Sequence, residues 1–429
     1  MDTIRKRGWP GGPLPPERLL RRQRSVMSMK YRCSLLFTLL ATALLLGVGF
    51  AAQPREVLVG YLGLEGGVDL GFLGPEGGLD LRQFGLGTGR YSAVDGARMA
   101  LEEANTLGRY FQMRFALVPR FGRSTPELLT HLQNLYTQEQ IRFFLLDVPG
   151  SMLQEIAQAT RQQEVLLFNV AAIDDNLRQE DCAPHVFHVV PSRAMLADGL
   201  VQYLMKRNWK RWLLVTGPSE RDQAFAQAMK RAAQRFGARI VDTRLWKSGA
   251  DIRRTAEAEF PLFTARAEYD VVVVADEEAE FGELLPYHTY LPRPVAGTQG
   301  LRPVVWFWGF AQWGATQLNA RFIRLTGRKM ENTDWASWMA MKMIAEAMVR
   351  TRSTEVQAVR AYLLDPEVTF DGYKGPSLDF RPWNHQLRQS IILATPRARV
   401  SISPQEGFLH PTTKLDTLGY DRAESRCKF

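Results

Sequence analysis

The chain has 429 residues, 45% of them hydrophobic and 23% charged, with a formal net charge of +9. That length exceeds one ordinary core and points to two domains of roughly 150 to 200 residues. The charge is not a nucleic-acid signature: residues 1–50 hold nine Lys or Arg against two Asp or Glu, and the remainder is nearly balanced at 45 basic and 43 acidic. A near-neutral body has no general affinity for a phosphate backbone, and no nucleic-acid partner is expected.

The basic start leads into an apolar run from Ser34 to Phe50 that ends in small residues, Ala51 and Ala52. This is the pattern of a secretory signal peptide, cleaved near Ala51 or Ala52, with Met29 reading as the start and Met1 and Met27 as the alternatives. An uncleaved anchor is the other reading, although the run falls slightly short of the roughly 20 residues that span a bilayer. Cys33 precedes the apolar core, so it cannot serve as a lipoprotein cysteine. Export leaves Cys182 and Cys427, for which a disulfide and two buried free thiols are both open.

Glu56 to Leu62 reads as a strand, and Ser92 to Leu107 as a helix with Val94, Ala97, Leu101 and Ala104 on one face. Between them, residues 63–90 contain ten glycines, too long a connection to be an ordinary turn. Its Gly87-Thr-Gly89 lacks the third glycine of a dinucleotide loop and carries no weight. Met113–Val118 and Pro126–Gln138 repeat the strand–helix order. Ile141–Leu146 is then an apolar run of the kind buried on both sheet faces. Pro149-Gly150-Ser151 supplies a turn with Ser151 as helix cap, and Val165–Val170 is the next strand.

Asp174–Pro191 has no helical period and reads as a crossing. After it the alternation resumes: a helix over Met195–Met205, a strand over Trp212–Thr216, a helix whose stripe Ala224 to Phe236 ends at Gly237, a strand over Arg239–Trp246, a helix to about Phe263, and a strand over Asp270–Ala275. Pro303 opens an aromatic stretch with Trp306, Trp308, Phe310 and Trp313. Helices follow at Ala315–Thr326, Asp334–Thr351 and Thr354–Leu364, then a late strand over Gln389–Thr395. From Ser401 the tail shows no period and is expected to be irregular. Strict alternation of this kind means α/β sheets with helices on both faces.

This order, with Tyr91-Ser-Ala-Val-Asp-Gly-Ala-Arg-Met-Ala-Leu-Glu-Glu-Ala-Asn, the Pro-Gly-Ser turn at 149, Phe187-His-Val-Val-Pro-Ser and Phe370-Asp-Gly-Tyr-Lys-Gly, resembles the type I periplasmic solute-binding proteins of the branched-chain amino-acid-binding branch. The stretch from Asp371 to Gln389 and the tail Leu418-Gly-Tyr-Asp-Arg-Ala-Glu-Ser-Arg-Cys are similar to the subgroup associated with pyrroloquinoline-quinone-dependent alcohol dehydrogenase systems. The resemblance implies two doubly wound α/β lobes joined by three crossing strands, near 190, 309 and 372. Lobe 1 would take 53–190 and 310–370, and lobe 2 would take 191–309 and 371–429, after a segment 1–52 lost on export. With separate cores, the lobes would close on a ligand like a hinge. It also implies a periplasmic monomer that hands a small molecule to an ABC permease, with no cofactor and no metal.

In such relatives the first lobe holds a ligand carboxylate through hydroxyls and backbone amides. The matching positions are Gly150, Ser151, Asn169, Ala171 and Ala172. A second-lobe acid and an aromatic hold the ammonium. Here Asp276 and Glu277 follow a strand, but the aromatic is missing, and Arg221 and Asp222 stand in its place, which argues against an ordinary amino-acid ligand. Trp308 could wall the site, with the other rings of its segment, or belong to the hinge core. Catalytic patterns are absent: no Gly-x-Ser-x-Gly elbow, no phosphate loop and no zinc-spaced His pair. His185 and His188 lie an odd number apart on a strand and face opposite ways. An enzyme is therefore the weaker alternative to a binding protein, and a ligand-sensing accessory protein is the other.

Overall fold

The structure, a computed structural model, describes residues 54–65, 93–247 and 252–429. The signal-peptide reading and nearly all of the glycine-rich connection lie outside these residues. Strands β1 (Arg55–Leu64), β2 (Met113–Gly122), β3 (Phe143–Asp147), β4 (Leu166–Asn169) and β5 (Val186–His188) form a sheet in the order β2-β1-β3-β4-β5. All its pairings are parallel. A parallel strand cannot return by a hairpin, so each pair is bridged by a crossover. These include α1 (Val94–Gly108), α2 (Thr125–Thr137) and α3 (Gly150–Ala159).

The side-chain period of two divides each strand between two cores. Val57, Val59, Tyr61, Phe143, Leu145 and Phe168 enter an inner cluster. Leu62, Phe144, Leu146 and Leu167 enter an outer one under α2 and α3. Burial on both faces is why Phe143–Leu146 and Val165–Phe168 are continuous apolar runs rather than alternating ones.

The second sheet is also parallel, in the order β7-β6-β8-β9, from β6 (Arg211–Thr216), β7 (Arg239–Leu245), β8 (Val271–Ala275) and β9 (Val295–Gly297). Helices α4 (Arg193–Lys206), α5 (Glu220–Phe236) and α6 (Ile252–Thr264) connect its elements. The apolar stripe of α5 stops where sequence placed it, at Gly237, whose φ of +80° closes the helix in the left-handed region. Trp212, Leu214, Val271 and Val273 point into the same inner cluster that serves the first sheet. Leu213, Val215, Val272 and Val274 face a third cluster.

The expectation of separate cores is therefore corrected. The crossing residues Val189, Val190, Val304, Val305, Trp306 and Phe307 are all buried in the inner cluster, which makes it continuous. Arg55–Phe429 accordingly forms one compact unit.

A third, antiparallel sheet, β10-β13-β14, packs on α4 and comprises β10 (Arg302–Val304), β13 (Ile391–Ala394) and β14 (Arg399–Ser403). Strand β14 corrects the expectation of an irregular tail from Ser401 only for Ser401–Ser403. Beyond it the tail turns through two short 3-10 segments, Lys414–Thr417 and Arg422–Glu424. It is fixed by Arg381, which donates to Asp416 Oδ1 at 2.9 Å and to the Leu418 carbonyl at 2.7 Å. Cys427 is bonded to Cys182, with Cα atoms 5.7 Å apart.

The aromatic crossing is followed by α7 (Ala315–Thr326), α8 (Asn332–Thr351) and α9 (Val356–Leu363). Helix α8 lies on α1. Gly96 permits this approach, since a Cβ there would stand 1.9 Å from the Asp334 carbonyl oxygen. Strands β11 (Asp379–Phe380) and β12 (Leu387–Arg388) form a short antiparallel pair. Between the crossings, Gln389 Nε2 donates to the Val189 carbonyl at 2.6 Å and its Oε1 accepts from Lys374 Nζ at 2.8 Å. Lys374 is buried beside the Trp335 ring, and burial alone pushes its pKa well down.

Candidate ligand-binding cleft

In parallel sheets the loops beyond the carboxyl ends of the strands are where ligands gather. Asp174 follows β4 of the first sheet, Glu277 follows β8 of the second, and Arg193 is the first residue of α4 after the crossing. The Arg193 guanidinium touches both acids. Its Nε and Nη2 donate to Glu277 Oε1 and Oε2, each at 2.7 Å, and its Nη1 donates to Asp174 Oδ1 at 2.7 Å. One side chain bonded to acids from both sheets brings the two strand-end edges face to face. Arg221 adds a second cation, 3.4 Å from Glu277 and 3.3 Å from Glu278.

Arg193 and Glu277 are held out of water, whereas Asp174 is partly exposed. The Arg193 side chain is 5% exposed, Glu277 0% and Asp174 33%. Burial alone would lower the Arg193 pKa, but the hydrogen bonds and charges of Glu277 and Asp174 outweigh it and hold it above its ordinary value. Burial likewise pushes the Glu277 carboxyl up, with Arg193 pulling back part of the way. For the less buried Asp174 the desolvation is overcome by the charge of Arg193, and its pKa is lowered. The fork geometry of guanidinium against carboxylate makes this the strongest polar joint available to side chains.

Each residue singled out from sequence has a defined place. Ser151 is not the cap of α3: Pro149 holds that position, the helix begins at Gly150, and the Ser151 side chain is exposed on the second residue. The proline has the fixed φ that suits a helix entrance, which displaces the cap by two residues. Gly150 stands against Asp174, whose Oδ2 lies 2.3 Å from where a Gly150 Cβ would be.

The buried Asn169 folds the turn after β4 upon itself. Its Oδ1 accepts from the amides of Ala171 at 3.2 Å and Ala172 at 2.8 Å, and its Nδ2 donates to the Ala172 carbonyl at 2.7 Å. Those two amides, expected to meet a ligand, already serve Asn169.

Asp222 forms a capping box with Ser219 at the start of α5, and its Oδ1 accepts from the Glu277 amide at 2.6 Å. Asp276 accepts from the amides of Glu280, Phe281 and Gly282. Burial pushes its carboxyl up to about 6 against those bonds. Both acids thus build the loops of the second edge.

Trp308 lies on the crossing, half-buried, with Lys329 Nζ 3.6 Å from its ring centroid. Trp306 is buried and stacked on Trp335. The Trp308 ring also stands 5.4 Å from that of Phe307.

Sequence reasoning missed Arg193 and Asp174. Arg193 lies 19 residues from Asp174 and 84 from Glu277, and no local motif marks either partner. It also missed Asp147, the last residue of β3, which accepts from the Tyr61 hydroxyl at 2.6 Å and the Ala93 amide at 3.3 Å. A shallow groove between α2 and α3, lined by Leu129, Leu132, Gln133, Ala159, Thr160 and Gln163, lies at the opposite end of α3 from all these groups. Among the described residues no cluster of His, Cys, Asp and Glu could hold a metal ion, and no helix is long and apolar enough to cross a membrane.

A family model described as periplasmic binding protein matches residues 69–257. Among curated proteins none matches the sequence. Solved structures do match in fold. A branched chain amino acid ABC transporter periplasmic ligand-binding protein from Burkholderia xenovorans LB400 superposes with a TM-score of 0.66 at 15% identity, covering 86% of this chain and 99% of that one. An amino acid ABC transporter substrate-binding protein from Pseudomonas fluorescens Pf-5 gives 0.65 at 13% identity, over 87% and 99%. A branched-chain amino acid transporter substrate binding protein from Streptococcus pneumoniae, in complex with isoleucine, gives 0.60 at 12% identity, over 81% and 99%. At these identities the likeness is one of fold, and this chain has the two-lobed α/β fold of the type I periplasmic binding proteins.

Proposed function

We propose that this chain is the substrate-binding component of an ABC transporter, exported by its N-terminal signal peptide to the periplasm. There it works as a monomer that captures a small polar molecule between its two strand-end edges and presents it to a membrane permease. The observation that carries this reading is the facing of the two carboxyl edges across Arg193, which is the place a ligand takes in sheets of this topology. The fold neighbours named above, titled as ligand- or substrate-binding proteins of ABC transporters, support the same reading. A chemical step is not part of it: the polar groups at the edges are engaged in structural pairs rather than set as acid, base or nucleophile.

The segment from Asp371 to Gln389 and the tail to Cys427 support a link of this transport role to a pyrroloquinoline-quinone-dependent alcohol oxidation system, and the alternative is a ligand-sensing or accessory protein beside that system, without transport. A permease and an ATPase encoded beside the gene would decide for transport. The direct test is a thermal-shift screen of the mature protein against amino acids, organic acids, alcohols, aldehydes and quinones. A compound at 100 times its Kd adds about 2.7 kcal/mol of stability. A screen with no stabilising compound would count against the binding role.

A further inference from the structure

The polar groups at the two edges are already matched to one another. The Ala171 and Ala172 amides are taken by Asn169, the Glu277 amide by Asp222, and the Ala93 amide by Asp147. The acid best placed to receive a ligand cation, Glu277, is fully buried and accepts both prongs of Arg193 with Arg221 beside it. The other face of Arg193 is taken by Asp174, whose carboxylate is seated against the first residue of α3 because position 150 is a glycine. An incoming carboxylate would have to strip Arg193 or Arg221 from Glu277. An incoming ammonium would have to replace a guanidinium bound bidentately. An exchange at Arg193 breaks its bidentate pair with Glu277, which is buried on both sides, the costly case for ions away from water.

Building on the binding role proposed above, we infer that Asp174 and Arg193 are specificity residues that act as resident counter-ions. They occupy the charged positions of the cleft, exclude free α-amino acids, and leave a site for a small uncharged molecule. Asp174 supplies the carboxylate and Arg193 the cation that a zwitterion would otherwise bring. Specificity arises from the unpaired charges that a wrong ligand would create.

The test uses titration calorimetry on the mature protein with L-leucine and L-isoleucine as charged probes and 3-methylbutanol and 4-methylpentanamide as uncharged ones. Wild type is expected to give no saturable heat with either amino acid. The double variant Asp174→Ala/Arg193→Ala frees Glu277 and the start of α3 together, and is expected to bind L-leucine at least roughly tenfold more tightly than wild type. Circular dichroism verifies its fold. Should it not fold, Asp174→Asn/Arg193→Gln, which removes both charges while keeping polar side chains of similar size, is read in the same way. Saturable binding of either amino acid by wild type overturns the inference and leaves the binding role standing. A folded variant that gains no leucine affinity also overturns it. The binding role falls as well only if wild type fails in the wider thermal-shift screen too.

Discussion

The two strand-end edges face each other but are built differently. On the first, the polar side chains that organise the turns are the last residues of their strands: Asp147 ends β3 and Asn169 ends β4. On the second, the organising acids come after the strand or from the next helix. Asp276 gathers three amides just beyond β8, and Asp222 reaches across from α5. In both cases most of the polar chemistry is local capping, satisfied within its own edge. Among the described residues, the Asp174–Arg193–Glu277 joint spans from one edge to the other, and it runs through the crossing that links them. Proximity to a strand end therefore does not distinguish a cap from a cleft residue, whereas the origin of the partner does.

The largest effect should come from breaking that joint. Arg193→Ala leaves Glu277 buried with its bidentate partner gone, and is expected to lower stability by about 3–5 kcal/mol, read from urea unfolding. A loss below about 1 kcal/mol would make the joint no more important than the local caps.

The loop carrying Asp174 is tied down a few residues later by Cys182, so the disulfide to Cys427 helps hold the first edge in place. Reduction should cost about 2–4 kcal/mol. Thiol titration of the unfolded, unreduced mature protein, which lacks Cys33, should find no free thiol, and two free thiols would contradict the bond.

Next comes the acid at the end of β3. Burial pushes the Asp147 carboxyl up to about 6, while the Tyr61 and Ala93 hydrogen bonds pull it partly back. Its ordinary value is 3.8, so the folded state holds this proton more tightly than the unfolded chain does. The resulting stabilisation is full below pH about 4 and is lost as pH rises through about 6. Asp147→Asn, which keeps an acceptor for Tyr61, should flatten the stability curve between pH 4 and 7 by on the order of 2 kcal/mol. Unfolding midpoints at the two ends of that range test it, and an unchanged slope would remove Asp147 from the account of the first edge. The smallest effect is expected at Ser151, exposed on the second residue of α3, where Ser151→Ala should change stability by less than about 0.5 kcal/mol in the same assay.

Much of the architecture was legible in the sequence, because a strand buried on both faces has to be an apolar run. Phe143–Asp147, Leu166–Asn169 and Val271–Ala275 all lie within two residues of where those runs placed them. The α5 stripe and Gly237 were equally plain. Ser151 was misread because proline can open a helix as serine can. Strand β14 was missed although Val400 and Ile402 alternate with Arg399, Ser401 and Ser403, a two-residue period too short to stand out beside the tail. The facing edges were legible only in part: Glu277 was placed just beyond its strand, but its partners come from distant parts of the chain, and a pairing made by folding leaves no local spacing to read.

The claim that a resident ion joint, rather than a bound ligand, holds the two edges together is tested most directly by small-angle scattering of the ligand-free mature protein beside Arg193→Ala. Wild type should scatter as a compact particle with a radius of gyration of about 21 Å. The variant, its fold confirmed by circular dichroism, should be measurably larger as the edges part. Indistinguishable curves for the two proteins would show that the joint does not hold the edges together.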